Sequence, residues 1–386
     1  MIGRALSILH LITRLERGGS ADCTLLQAMG AARRGHRVDI ASGPTSIPAP
    51  LAAVAHRQPG LRLLSLPSLA REMHPAADLR TLVAIWRLIR SGGYDLIHTH
   101  TSKAGALGRL AALLAGSSRR VIHQPHGHMF YGYYGAFGSR LVILAERLLA
   151  PLARIQVALS WRGVEEHLGR GVGWPGRFTV VRSGIDLRPF RKARRLREAC
   201  RRRLGFSAGD QVVGTLCRLE AIKGVEDLAV AFALAAASRP RLRLLLAGDG
   251  PLRGRLEDWV RGAGLTGRVT LGGGWGPAEE ILPAMDLFVM ASRNEGMGRA
   301  LVEAMACGLP VAACAVGGMP EVLEEGGSGL LVPPGDRQAL SEAIGRLADN
   351  PQLAAGLAAR ARRRALAFGA GRMVRSLLRL YEEVAA

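Results

Sequence analysis

Lysine is almost missing from this chain: of 52 basic residues only Lys103, Lys192 and Lys223 are lysines, the rest being arginine. Aromatic residues are scarce at 5%, and no recognisable nucleic-acid-reading motif accompanies them, which argues against a protein that stacks on bases. The five cysteines, Cys23, Cys200, Cys217, Cys307 and Cys314, are odd in number and contain no C-x-x-C, so neither a disulfide framework nor a zinc site is expected. A reducing cytosol suits them. Long apolar runs are missing too: residues 141–159 are broken by Glu146, Arg147 and Arg154, short of the roughly 18 clean positions that a membrane span needs. Residues 1–19 begin with Arg4 and an apolar run, but His10, Arg14 and Arg17 follow without a small-residue cleavage site, so a first strand is expected there and not a signal peptide.

What is present is 386 residues of globular composition, 48% hydrophobic and 22% charged, enough for two domains. The net charge of +21 is uneven. Residues 1–187 hold 23 basic and 10 acidic side chains, residues 188–204 hold 9 and 1, and residues 205–386 hold 20 and 20. An arginine-rich composition cannot explain that asymmetry, which points to an anionic partner for the N-terminal half: nucleic acid, acidic lipid or a phosphorylated substrate.

Short apolar runs alternate with helix-length amphipathic segments, the pattern of parallel α/β units. Strands are expected at residues 5–11, 37–41, 61–66, 95–99, 120–124, 155–159 and 179–181, and again at 212–217, 242–247, 269–271, 287–290, 311–313 and 329–332. Two doubly wound, Rossmann-like domains facing across a cleft result. The expected division is 1–184, a basic interdomain segment 185–204, a second domain 205–365, and a C-terminal helix 366–386 that crosses back to the first domain. Ligands of such sheets bind beyond the carboxyl ends of the strands, so the loops there are the place to look for chemistry.

Four loops stand out. In Arg17-Gly18-Gly19-Ser20 the glycines allow backbone N–H groups to approach an anion at a helix N-terminus; a plain turn is the alternative, and the loop is neither G-x-G-x-x-G nor a Walker loop. In Cys217-Arg218-Leu219-Glu220-Ala221-Ile222-Lys223-Gly224, Arg218 offers a fork and Lys223 a point charge, a pair suited to a diphosphate, against the reading of a solvated loop. The segment from Ser292 to Glu303 places Glu295 and Glu303 about 12 Å apart if helical, beyond the roughly 5–5.5 Å of a retaining glycosidase pair. They can instead grip two ends of an extended ligand while N–H groups of Gly296 to Arg299 meet phosphate. Finally, His123, His126 and His128 with His98 and His100 suggest metal, but the spacing matches no zinc set and adjacent strand residues point to opposite faces; a histidine hydrogen-bonding a substrate hydroxyl is expected instead.

In their order and spacing these loops resemble those of retaining GT-B glycosyltransferases of family four. Ala247-Gly248-Asp249-Gly250-Pro251, the stretch from Glu295 through Gly296, Met297, Gly298, Leu301 and Glu303 to Val311, Gly317-Gly318-Met319-Pro320-Glu321 and Gly329 to Asp336 extend the match over nearly the whole chain. The resemblance implies a hexosyl- or N-acetylhexosaminyl-transferring enzyme that takes its sugar from a nucleotide diphosphate, such as a UDP- or GDP-sugar, with no metal and no other cofactor. Arg218 and Lys223 would neutralise the diphosphate, Glu303 would accept the ribose hydroxyls and Glu295 would contact the sugar. Gly18 and Gly19 would approach the phosphate from the first domain, with His126 facing the sugar, while Gly296, Met297, Gly298 and Leu301 complete the donor pocket. The stretch from His98 to Gly105 and on to His128 resembles members that build surface polysaccharides on lipid-linked acceptors. A cytoplasmic enzyme resting on the anionic inner face of the plasma membrane follows, with no nucleic-acid partner. Two alternatives stay open: a GT-B nucleotide-sugar epimerase and a basic nucleic-acid-binding protein.

Overall fold

Apolar runs that are buried on both faces make parallel strands, and the chain forms thirteen of them among the residues described, each within two positions of its expected place. The computed structural model describes residues 4–16, 18–46, 48–127, 130–132, 135–272 and 276–386. The strands are β1 Ser7–Ile12, β2 Arg37–Ser42, β3 Leu61–Ser65, β4 Leu96–His100, β5 Val121–Gln124, β6 Ile155–Ala158, β7 Phe178–Val180, β8 Gln211–Leu216, β9 Leu242–Ala247, β10 Val269–Gly272, β11 Leu287–Met290, β12 Val311–Cys314 and β13 Leu330–Val332. All pair in parallel, in the orders β3-β2-β1-β4-β5-β6-β7 and β10-β9-β8-β11-β12-β13. In each sheet the order reverses once, between β1 and β4 and between β8 and β11. Those two reversals are the crevices where doubly wound sheets hold ligands.

The chain divides into two units, Met1–Gly184 with Ala370–Ala386, and Ile185–Gly369. In the first, the C-terminal helix Ala370–Ala385 returns as the sequence pattern implies. Its buried stripe Met373, Val374, Leu377 and Tyr381 has the three- and four-residue spacing of one helix face. It packs against helix Gly19–Ala32 at Gly30, where a Cβ would lie 2.4 Å from Val374 Cγ2.

The basic segment 185–204, set apart in the sequence reading, folds onto the second unit. Arg197 reaches Asp286 at 2.5 Å, Arg201 reaches the same carboxylate at 3.4 Å, and Arg203 meets Glu280 at 3.0 Å. The guanidinium forks find carboxylates of that unit, so the run serves as packing there, and the break in the chain falls at Gly184. No helix among the described residues is long and apolar enough to cross a membrane.

Candidate active site

At the reversal between β8 and β11, two glycines bring three loops into contact. Gly224 ends the turn Ala221–Lys223 at φ +62°, and a Cβ there would sit 2.0 Å from the Ala291 carbonyl oxygen, so only glycine lets this loop approach the one after β11. Arg293 N–H then donates to the Ile222 carbonyl at 2.9 Å. Within this contact the Lys223 ammonium donates to Glu295 Oε1 at 2.5 Å, and the Ser292 hydroxyl donates to the same oxygen at 3.1 Å. Gly317, after β12, presses from the other side. Its φ is +48°, and a Cβ would overlap the Glu295 carbonyl oxygen at 1.7 Å.

Glu295 is also steadied through its neighbour. The Asp227 carboxylate, nearly buried, accepts from Arg293 at 2.7 Å and from Arg337 at 2.8 Å. Burial pushes the Asp227 carboxyl up, and the hydrogen bonds from Arg293 and Arg337 outweigh it and leave the group below its usual range. Gly298, left-handed at φ +70°, then opens helix Arg299–Ala306. A cation, a carboxylate and a helix N-terminus therefore meet beyond the carboxyl ends of the strands, suited to a ligand with an anionic part and a hydroxylated part.

The first unit presents a different chemistry at its own reversal. Register pairs His10 of β1 with His98 of β4, and His98 and His100 are two apart, so all three share one face of the sheet. The sequence reading uses strand alternation to disperse the histidines; with the register known, the same alternation gathers these three and sends His123, opposite Thr99, to the other face. Their ligand nitrogens lie within 4.8 Å of one another, but the close contacts are hydrogen bonds. Tyr381 of the C-terminal helix meets His98 Nδ1 at 2.7 Å and His10 Nε2 at 3.4 Å, His10 Nδ1 meets His100 Nε2 at 2.9 Å, and His100 Nδ1 meets His126 Nε2 at 2.8 Å. A neutral imidazole has one donor and one acceptor, so this chain can run in one direction from Tyr381 to His126. His126 and Thr101, at the ends of neighbouring strands, both have φ +61°, strained for non-glycine residues and of a kind that collects at functional sites.

The comparisons with known proteins cover both units. The model for Glycosyl transferases group 1 matches residues 197–364, and that for Glycosyltransferase Family 4 matches residues 17–188. A D-inositol 3-phosphate glycosyltransferase of Thermobispora bispora is 32% identical over 309 residues, 76% of this chain and 71% of that protein. This chain is a family 4 glycosyltransferase. A UDP-Gal:α-D-GlcNAc-diphosphoundecaprenol α-1,3-galactosyltransferase of Escherichia coli is 27% identical to it over 76% of each chain. The solved structure of Anabaena HepE in complex with UDP and glucose has the same fold, with a TM-score of 0.81 at 24% identity over 98% of this chain and 99% of that one.

In this glycosyltransferase the anticipated site residues are not all drawn together. Lys223 and Glu295 are in contact. Arg218 lies at the exposed rim and is held by Glu220 at 2.8 Å. Glu303 is paired with Arg299, one helical turn away, at 3.5 Å. Met297 and Leu301 are buried, and the Leu301 N–H donates to the Gly298 carbonyl, so both pack the helix entry. Gly296 joins Glu295 to that entry. In the first unit Gly18 caps helix Gly19–Ala32 with no side chain in the way, while Arg17 and His128 lie outside the described residues. Sequence reasoning missed Ser292, Asp227, His10 and Tyr381. Only His10 left a signal, through its position in a strand whose neighbour holds two histidines two residues apart. Burial pushes the Cys217 thiol up to about 12 in spite of the nearby charge of Lys223, and so favours the protonated thiol.

The histidine chain has a consequence for stability. Burial, assisted by the charge of His126, pushes His10 down from 6.5 to about 3, and burial likewise holds His98 and His100 well below the ordinary range. The folded enzyme keeps them neutral while the unfolded chain takes up protons near 6.5, so their contribution is complete above that value and is lost as pH falls toward 3. The melting temperature is expected to drop between about pH 7.5 and 5, and by more than a single titrating group allows. A flat profile across that window would contradict neutral burial.

Proposed function

We propose that the enzyme moves a hexosyl or N-acetylhexosaminyl group from a nucleotide-diphosphate sugar to a lipid-linked envelope glycan, with retention of configuration and without a metal. The Lys223–Glu295 contact carries the reading. Bond breaking at the anomeric carbon adds negative charge to the leaving diphosphate, and a preorganised ammonium beside a helix N-terminus stabilises that added charge more than it stabilises the less charged ground state. Arg218, one side-chain swing from Glu220, supplies a second cation to the same oxygens. Glu295 faces the sugar and Glu303 the ribose hydroxyls. The acceptor hydroxyl attacks from the side of the departing diphosphate and gives its proton to the leaving phosphate oxygen, so that no protein nucleophile is needed. His126, held by His100 within the first unit, binds a substrate hydroxyl. In support of a nucleotide donor and a lipid diphosphate acceptor stand the names of the similar proteins, one bound to UDP and one acting on diphosphoundecaprenol. The basic first half suits a membrane carrying such an acceptor, at the cytoplasmic face, better than it suits nucleic acid.

A melting-temperature screen against UDP, GDP, ADP and their sugars tests the donor. A nucleotide at 100 times its Kd stabilises the native state by about 2.7 kcal/mol, so one base is expected to raise the transition by several degrees. No rise with any of them would remove the donor assignment. Incubation of the donor alone, analysed by NMR, separates transfer from epimerisation.

A further inference from the structure

Helix Ala136–Leu149 packs Val142 and Ile143 inward against Phe130, Ala150 and Val172 and turns four other large apolar side chains away from the protein. Phe137, Leu141, Leu144 and Leu148 are 75%, 51%, 51% and 70% exposed, and no residue of the helix is buried. Their spacing of four, three and four places them within about 60° of one another around the axis, a continuous stripe about 17 Å long. The orientation is locked. Glu146, on the opposite side of the helix, is taken by the wholly buried Arg109 of helix Ser102–Leu114 in two parallel bonds of 3.0 Å. Turning the stripe inward would break that pair and strand a buried guanidinium. Arg140 and Arg147, two turns apart, run along one edge of the stripe, and Arg147 Nε is steadied by the Arg170 carbonyl at 2.6 Å.

We infer that this helix lies in the plane of an anionic membrane, with the stripe in the boundary between head groups and acyl chains and Arg140 and Arg147 against lipid phosphates. The inference rests on the membrane-bound acceptor proposed above and names the element that makes the contact. Charge selects the occupant: residues 1–187 hold 23 basic and 10 acidic side chains, so a second copy seated on the stripe would bring like charges together, whereas an anionic surface neutralises them.

The test is flotation of the full chain with vesicles of phosphatidylcholine, either pure or containing about one-third phosphatidylglycerol, at low and raised salt. The comparison variant carries Phe137→Gln, Leu141→Gln, Leu144→Gln and Leu148→Gln, all at exposed helical positions, with circular dichroism and melting temperature as checks on folding. The wild type is expected to float with the anionic vesicles in a salt-sensitive way and the variant to bind at least about tenfold more weakly. Arg140→Gln with Arg147→Gln is expected to weaken only the anionic case. Equal binding by wild type and the four-fold variant would overturn the role of this helix and leave membrane docking standing. Absence of binding by the wild type would overturn both. A dimeric wild type with a monomeric four-fold variant, by light scattering, would assign the stripe to a second copy and overturn the inference.

Discussion

Lys223→Ala is expected to lower turnover at least about a hundredfold with little change in melting temperature. Lys223 is one of only three lysines in a chain that otherwise uses arginine, and its ammonium is held by Glu295 at 2.5 Å with both side chains mostly shielded from water. A point charge on a flexible stem can leave the carboxylate and follow charge onto a phosphate oxygen as the glycosidic bond breaks. Removing one such preorganised donor costs about 2.7–4 kcal/mol of transition-state stabilisation, which appears in kcat more than in KM. Glu295→Ala is expected to fall by a similar factor for a different reason, since it removes the group proposed to face the sugar and frees Lys223 from its position. Because the two act as a unit, the double variant should be little worse than either single one. Steady-state kinetics with donor and acceptor check all three, and near-wild-type kcat in either single variant would remove this pair from the active site.

Gly317→Ala touches no charge and is expected to be the most damaging of the small substitutions. The backbone at φ +48° disfavours any L side chain, and the added Cβ would fall 1.7 Å from the Glu295 carbonyl oxygen. Left-handed strain and overpacking together cost about 2–4 kcal/mol if the loop holds its place. The melting temperature of the unit should then fall by roughly 5–15 °C. If the loop moves instead, Glu295 is carried off Lys223 and kcat falls while the melting temperature is spared. Either outcome shows that the two loops are pressed together; a variant with unchanged stability and unchanged kcat would show that they are not.

The fold was legible because strands buried on both faces read as unbroken apolar runs, such as Leu287–Met290, and because helices between them end in recognisable ways. The contact between Lys223 and Glu295 was foreshadowed because their loops follow strands β8 and β11 and Lys223 is unusual for this composition. The groups that steady them were not. Asp227 takes Arg293 and Arg337 from 66 and 110 positions away, and nothing in a local window records such a partner. Tyr381 reaches His10 across 371 positions. The charge count misled for a related reason: the nine basic residues of 188–204 add to the sum whether they face a ligand or, as Arg197, Arg201 and Arg203 do, a carboxylate of the same unit.

The return of the C-terminal helix to the first unit sets an order of completion during synthesis. The strands of that unit leave the ribosome before those of the second, yet the face of helix Gly19–Ala32 beside Cys23, Gln27 and Met29 and the polar end of the His10 chain are closed only by Met373, Leu377 and Tyr381, made after residue 369. The second unit, Ile185–Gly369, has all its parts before then. The unit begun before the other is thus finished after it, and a nascent chain cut short near residue 369 would carry a whole second unit beside a first unit with an open core.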